Sequence, residues 1–404
     1  LHIVLEQDFH SEKFKYLLEL NSCMEFLEKL NPHWFGEKDV DIKKWESRHI
    51  RVMPDWLNGI SLKPFSLNFI LGPRRVGKTT GIKLLIKNLI EKGIEERRIV
   101  YVNVDLIPDL KFFQEVLSHI SEKNFKFIFI DEATSLENWW KPLKGFIDAG
   151  LFKDCIIVVS GSLTLKVKRH AELFPGRKGF GKQIEVLPLS FRDFFKLFKV
   201  KPKEEEIRKI FQRYLLTGGF LGALEDTSNF MKEIVDAIES EILKIGLSPK
   251  LTFEIFSSLL TKIPSALSYQ TIASEIGIDY KTVRNYLETF EDMYLIKIAY
   301  WKGDKIKFRK EKKIFFRDPL LLRATSFWTS KEFLEAALYE QIVQEHLFRK
   351  FGEIFYYKNR HEIDCIADKL MIEVKAKKPH RKYPENVKIL DEKEIPLFLM
   401  ELME

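Results

Sequence analysis

Gly72-Pro73-Arg74-Arg75-Val76-Gly77-Lys78-Thr79 fits the pattern G-x-x-x-x-G-K-[ST], and it constrains this chain more than any other stretch. An apolar run, Leu67–Leu71, precedes it, and a helical pattern, Thr80–Lys92, follows it, with Gly93 as a stop. The two glycines let the backbone wrap so that amide hydrogens and a helix N-terminus face one negatively charged group. In such a turn residues 72–80, from Gly72, Pro73, Arg74, Arg75, Val76 and Gly77 to Lys78, Thr79 and Thr80, cradle phosphate. Lys78 reaches the β- and γ-phosphates, and the Thr79 hydroxyl serves as a ligand to Mg²⁺.

A phosphate-bound Mg²⁺ needs a hard oxygen ligand at the tip of another buried strand. Phe127-Ile128-Phe129-Ile130-Asp131-Glu132 supplies it: Asp131 is the candidate for the metal, through water, and Glu132 for polarising an attacking water. Around these two motifs apolar runs at Leu67–Leu71, Ile99–Val104, Phe125–Ile130, Cys155–Ser160 and Ile184–Leu187 alternate with amphipathic helical patterns. That alternation predicts an α/β fold with a parallel sheet covered by helices.

The remaining composition sets bounds. At 404 residues and 45% apolar the chain holds two to four domains, which excludes a small stapled module. Three cysteines far apart, Cys23, Cys155 and Cys365, give neither a zinc pattern nor a disulfide framework. No apolar run reaches the ~18 residues of a membrane span, so a soluble cytoplasmic protein is expected. The 66 basic and 59 acidic residues lean toward thermophile usage.

Beyond Pro188 the strand signal stops, and residues 191 to about 262 read as helices broken by Gly218-Gly219 and Gly246, the pattern of a helical lid. Gln270–Gly277 and Lys281–Phe290 then show helix-turn-helix spacing of winged-helix type, offering Lys281, Arg284 and Asn285 to a nucleic-acid groove. Lys297–Arg317 follows as a basic hairpin with nine cationic residues against Asp304 and Glu311, an excess equal to the +7 of the entire chain. Such a segment can neutralise a phosphate backbone, with Tyr300, Trp301 and Phe308 to stack on bases. Near the C-terminus a helix, Leu334–Arg349, is followed by three short strands and a tail. In the last strand Glu373 and Lys375, two apart, share a face.

Taken together, the paired motifs, with Glu directly after the magnesium Asp, resemble the ATPase branch of P-loop proteins that includes the AAA+ and STAND families. More narrowly, the phosphate loop, Ser160-Gly161-Ser162, Pro175-Gly176-Arg177, Leu187-Pro188-Leu189-Ser190-Phe191 and Gly218-Gly219-Phe220 resemble archaeal and bacterial ATPases that end in a nuclease-like domain. The resemblance implies an additional strand, Cys155–Ser160, between the two motif-bearing strands, with Ser160 or Ser162 sensing the γ-phosphate. It implies ATP/ADP and Mg²⁺ as cofactors and a homo-oligomer, a hexamer in the AAA+ case. Arg177, in a cationic glycine-containing loop, Lys166–Lys182, would then complete a neighbouring subunit's site in trans.

Asp364, Glu373 and Lys375, with Glu340 on the preceding helix, resemble the PD-(D/E)xK restriction-endonuclease fold, in which two carboxylates hold a divalent cation and the lysine activates water. The implied layout is an N-terminal extension (1–64), a P-loop ATPase core (65–190), a helical lid (191–250), a winged helix (251–330) and a restriction-endonuclease-like domain (331–404). Three functions fit it: an oligomeric ATPase that remodels nucleic acid or a protein partner, an ATP-gated nuclease, and a slow nucleotide switch controlling partner binding.

Overall fold

The computed structural model describes residues 23–162, 174–359, 361–375 and 383–402; residues 1–22 of the expected N-terminal extension and residues 166–173 of the cationic loop lie outside the described residues. The chain divides into two compact units, one of residues up to 73 with 77–186, the other of residues 74–76 with 187 onward.

In the first unit α1 (Cys23–Leu30) and α2 (Val40–Ser47) lead into β1 (Ser66–Leu71), α3 (Lys78–Glu91), β2 (Ile99–Asn103), α4 (Leu110–Glu122), β3 (Phe127–Asp131), α5 (Trp140–Asp148), β4 (Ile156–Gly161) and β5 (Gln183–Glu185). The strands form one parallel sheet in the order β2-β3-β4-β1-β5. β4 therefore lies between β1, which carries the phosphate loop, and β3, which carries Asp131, as the additional strand expected from the resemblance. Every residue of β1, β3 and β4 is buried, the mark of a parallel sheet covered on both faces. Each large side chain in this core, such as the fully buried Phe69 or Ile157, contributes roughly 1.5–3 kcal/mol by leaving water.

The segment Asn31–Phe35 covers the β2 edge of this sheet. Asn31 acts as a one-residue strand: its Nδ2 donates to Tyr101 O at 2.9 Å and its Oδ1 accepts from Tyr101 N at 2.7 Å. Trp34 Nε1 donates to Ile99 O at 2.7 Å. The edge strand β2 is thus occupied by side chains of its own chain.

The second unit begins with helices α6 (Phe191–Lys196), α7 (Glu204–Thr217), α8 (Thr227–Lys244) and α9 (Pro249–Leu260). Next come α10 (Tyr269–Ile276) and α11 (Tyr280–Asp292), separated by Gly277–Asp279, with Gly277 left-handed and Asp279 capping α11. An antiparallel hairpin, β6 (Ile296–Lys302) and β7 (Ile306–Phe316), leads to α12 (Pro319–Thr329), α13 (Glu335–Phe351), β8 (Phe355–Lys358), β9 (Glu362–Ala367), β10 (Leu370–Lys375), β11 (Lys388–Asp391) and α14 (Ile395–Leu402). The expected C-terminal tail thus contains a fourth strand, paired parallel to β10, and a final apolar helix. The basic hairpin and the C-terminal strands share one six-stranded sheet, β11-β10-β9-β8-β6-β7, because β6 pairs in parallel with β8 at Tyr300–Phe355 and Trp301–Tyr356.

Candidate functional site

The phosphate loop follows β1 and opens α3. A Cβ at Gly72 would lie 2.0 Å from Val186 O, so only glycine lets the loop leave the strand beside the segment after β5. Gly77, with φ 101°, and Arg75, with φ 64°, both turn in the left-handed region, where Arg75 carries a steric cost. Lys78, 3% exposed, donates from Nζ to Gly72 O and Pro73 O, each at 2.9 Å, and lies 4.0 Å from Glu132 Oε1. Thr79 and Thr80 occupy the next positions of the helix and are half-buried. Arg74, Arg75 and Val76 group with the second unit; there Arg74 pairs with Glu241, and Arg75 Nη1 lies 3.2 Å from Glu233 Oε2.

Asp131 is fully buried at the end of β3. Its Oδ2 accepts from the Tyr101 hydroxyl at 2.8 Å, and its Oδ1 accepts from Ser160 Oγ and from Glu132 N at 3.2 Å. Three donors on a carboxylate with about four acceptor directions leave one, which fits an aspartate that holds a metal through a water. Burial and the Asp131 charge push the Tyr101 phenol well above its usual range, so it stays a donor. Lys83 Nζ stands 3.3 Å over the Tyr101 ring and 2.8 Å from Asp39 Oδ2. Glu132 adopts φ 51° and ψ 39°, a left-handed conformation uncommon for glutamate, and its amide also donates to Ser160 Oγ at 3.1 Å. Of the two serines read as sensors, Ser160 is committed to this network, and Ser162, 3% exposed, stands just beyond the tip of β4. Tyr101 and Lys83 were missed from sequence; the only trace is a tyrosine inside an otherwise aliphatic strand.

Arg177 is held within its own chain. Its guanidinium forks onto Asp148, with Nη2 3.2 Å from Oδ2, and Nη1 donates to Pro175 O at 3.0 Å.

The hairpin corrects the reading of nine outward charges. Lys313 and Arg317 are buried in ion pairs, Lys312 is buried, Lys297 pairs with Glu291 at 2.6 Å and Lys302 lies 3.7 Å from Glu353. Lys305, Lys307, Arg309 and Lys310 remain exposed, with Phe308 63% exposed among them. Trp301 is 8% exposed, covered by Lys307 and Lys310 at 5.0 and 4.1 Å, and so cannot serve as a stacking platform. Lys281, Arg284 and Asn285 are exposed on α11, with Arg284 Nε 2.7 Å from Glu288 Oε1.

The C-terminal carboxylates do converge. Glu340 from α13, Glu362 and Asp364 from β9, and Glu373 from β10 are joined by two ammonium groups. Lys375 pairs with Glu373, which also accepts from the Tyr383 hydroxyl at 2.9 Å. The second ammonium belongs to Lys313 of β7, a residue that sequence reasoning had assigned to the basic hairpin. Four carboxylates against two ammonium groups leave two uncompensated charges. Burial, followed by the Asp364 charge, accordingly pushes Glu340 up to about 8 and Glu373 up to about 7, so both hold protons more tightly than free glutamate.

Residues 65–195 match the family description of an AAA domain. With the additional strand between the two motif-bearing strands, this part of the chain has an AAA+ P-loop NTPase fold. Residues 208–332 match a domain of unknown function. The chain is 26% identical to an uncharacterized protein of Methanocaldococcus jannaschii, covering 76% of this chain and 73% of that protein. It is 22% identical to an uncharacterized protein of Haemophilus influenzae, covering 57% of this chain and 61% of that one. Among solved structures it is similar to the ORC2 protein of Aeropyrum pernix in its ADPNP-ADP complexes, with 12% identity, a TM-score of 0.38, and coverage of 73% of this chain and 93% of that one. It is also similar to AMPPCP-bound DnaA of Aquifex aeolicus, with 16% identity, a TM-score of 0.26, and coverage of 57% and 83%. Among the described residues no helix is long and apolar enough to cross a membrane.

Proposed function

We propose that the chain binds ATP with Mg²⁺, hydrolyses it, and uses the resulting conformational step to remodel nucleic acid or a protein partner as an oligomer. The observation that carries this reading is the meeting of Lys78, Asp131 and Glu132 at the ends of β1 and β3, with Lys78 Nζ 4.0 Å from Glu132 Oε1. Lys78 would exchange its two loop carbonyls for β- and γ-phosphate oxygens, which are charged and therefore stronger acceptors. Thr79 and Asp131 would hold Mg²⁺, the latter through water. Bound there, the ion neutralises charge on the phosphates. Freed from Lys78, Glu132 would orient and polarise the attacking water, and Ser162 would report the γ-phosphate. The four outward cations of the hairpin and Lys281 on α11 support contact with a nucleic-acid backbone through a winged-helix arrangement.

Glu132→Gln tests the reading. It is expected to retain ATP binding by calorimetry and to lose turnover. Wild-type protein that takes up no ATP in the presence of Mg²⁺ would overturn it.

The ion pair between Arg177 and Asp148 favours a second reading, a slow nucleotide switch, because an arginine already forked onto a carboxylate is withheld from a neighbour's phosphate. Under that reading wild-type turnover is slow, and Glu132→Gln changes it little.

A further inference from the structure

The C-terminal cluster poses a question of occupancy. If the PD-(D/E)xK resemblance extended to chemistry, Asp364 and Glu373 would hold a divalent cation. Oxygen ligands approach such an ion to about 2.0–2.6 Å. Yet Lys313 Nζ lies 2.6 Å from Asp364 Oδ1, 2.8 Å from Glu340 Oε1 and 3.1 Å from Glu362 Oε1. An ammonium has three N–H donors; here it donates to Glu340 and Asp364, with Glu362 in ion-pair range beside them. The other oxygen of Asp364 accepts from Val374 N at 2.9 Å. Glu340 Oε1 is further engaged by Gln344 Nε2 at 2.9 Å. A divalent ion bound at Asp364 would therefore stand within contact distance of a fixed positive charge. The Lys313 side chain is 3% exposed, so water cannot screen that repulsion.

The lysine is also fixed through its backbone. Lys313 pairs with Ala299 in the middle of the β6–β7 ladder, between the pairs Tyr300–Lys312 and Ile298–Ile314, and Lys312 exchanges hydrogen bonds with Leu267 at 2.8 and 2.9 Å. The backbone that carries Lys313 is held by β6 and by the Leu267 bridge, so the residue stays at the cluster and only its buried side chain could turn away, leaving the carboxylates uncompensated. Among the described residues no group of three or more His, Cys, Asp or Glu is arranged to hold a metal ion.

We infer that Lys313 is the resident cation of this cluster, a tethered ammonium in the place where a nuclease of this architecture would need its metal. The C-terminal sheet is consequently a metal-independent fold that does not cleave phosphodiesters. Its carboxylates anchor the basic hairpin to α13 and β9. This inference stands apart from the ATPase reading, since it concerns a different set of residues and is tested without nucleotide.

The test is Mn²⁺ binding to the full chain, followed by the loss of the free-ion electron paramagnetic signal, together with thermal unfolding in Mn²⁺ or in EDTA. Wild type is expected to show no Mn²⁺ uptake that Asp364→Asn removes, the same unfolding temperature in both media, and no metal-dependent cutting of DNA or RNA. Lys313→Ala is expected to unfold earlier in EDTA, to regain stability in Mn²⁺, and to bind Mn²⁺ about tenfold or more tightly than wild type; adding Asp364→Asn removes that gain. Lys313→Arg keeps a cation in the cluster and should gain no Mn²⁺ site. A wild-type Mn²⁺ site or a metal-dependent cut that disappears in Asp364→Asn overturns the inference, as does a folded Lys313→Ala protein that takes up no Mn²⁺. Should Lys313→Ala fail to fold, wild type compared with Asp364→Asn still decides.

Discussion

Tyr101 donates its hydroxyl to Asp131 Oδ2 across 2.8 Å, tying an edge strand to the carboxylate at the tip of its neighbour. Tyr101→Phe removes that donor and keeps the ring under Lys83. Because a hydrogen bond to a buried charge is worth about 1.5–3 kcal/mol, the variant should lose that much stability in urea unfolding. It should also bind Mg-ATP more weakly, because Asp131 is then oriented by two donors in place of three.

Gly72→Ala places a methyl group 2.0 Å from Val186 O, a backbone atom that cannot move alone. The loop must shift away from the segment after β5. Calorimetry with ATP and Mg²⁺ should then show little or no heat, in a protein whose circular dichroism remains close to wild type.

For Arg177, the ion pair with Asp148 separates two outcomes. If Arg177 acts on a neighbour's nucleotide, Arg177→Ala lowers turnover by about a thousandfold, while Asp148→Ala frees the guanidinium and leaves turnover equal or higher. If the pair is only local, the two variants behave alike in a steady-state ATPase assay.

The exposed cations of the hairpin set a number for salt dependence. Four phosphate contacts from Lys305, Lys307, Arg309 and Lys310 give a log–log slope of about −3 to −4 for duplex binding. Lys307→Glu with Arg309→Glu should weaken binding to every sequence and flatten the slope by about two. A slope near zero in wild type would remove the hairpin from consideration as a nucleic-acid contact.

His346 makes the second unit acid-sensitive. Its Nε2 accepts from Phe191 N at 2.9 Å and its Nδ1 donates to Ile342 O at 2.7 Å, so the neutral ring is the one that fits. Burial, and then the Arg349 charge, push it from 6.5 down to about 4. Between those values the unfolded chain binds the proton and the folded chain does not. Stability contributed by His346 is therefore complete above pH 6.5 and falls as pH drops toward 4, by up to about 3 kcal/mol. Denaturant titrations at stepped pH should show this fall in wild type and a shallower one in His346→Gln; His33, pushed down to about 4 chiefly by burial, contributes in the same direction to both.

Much of the first unit was legible because its signals are local. A phosphate loop is written in eight consecutive residues, and β1, β3 and β4, buried on both faces, appear as largely apolar runs, interrupted in β1 only by Asn68. The position of β4 between β1 and β3 came from resemblance, since strand order is a long-range property that no single run encodes. What escaped reading depends on distant partners. Asn31 finds Tyr101 seventy positions along the chain, and Lys313 finds Asp364 fifty-one positions along. In the sequence Lys313 is one of a crowd of lysines and nothing marks it as the one that turns inward; only the pairing of β7 with β6 and the arrival of β9 decide it. The final strand and helix were hidden for a similar reason, as four residues of β11 become a strand only against β10.

The continuity of the six-stranded sheet has a mechanical consequence. A hairpin joined to its domain only by loops could swivel like a flag, but this one is bonded through β6 to β8 and clamped by Lys313 to α13 and β9. Any tug on its tip is passed along the ladder as shear, so the arm and the C-terminal strands must travel together as one stiff beam.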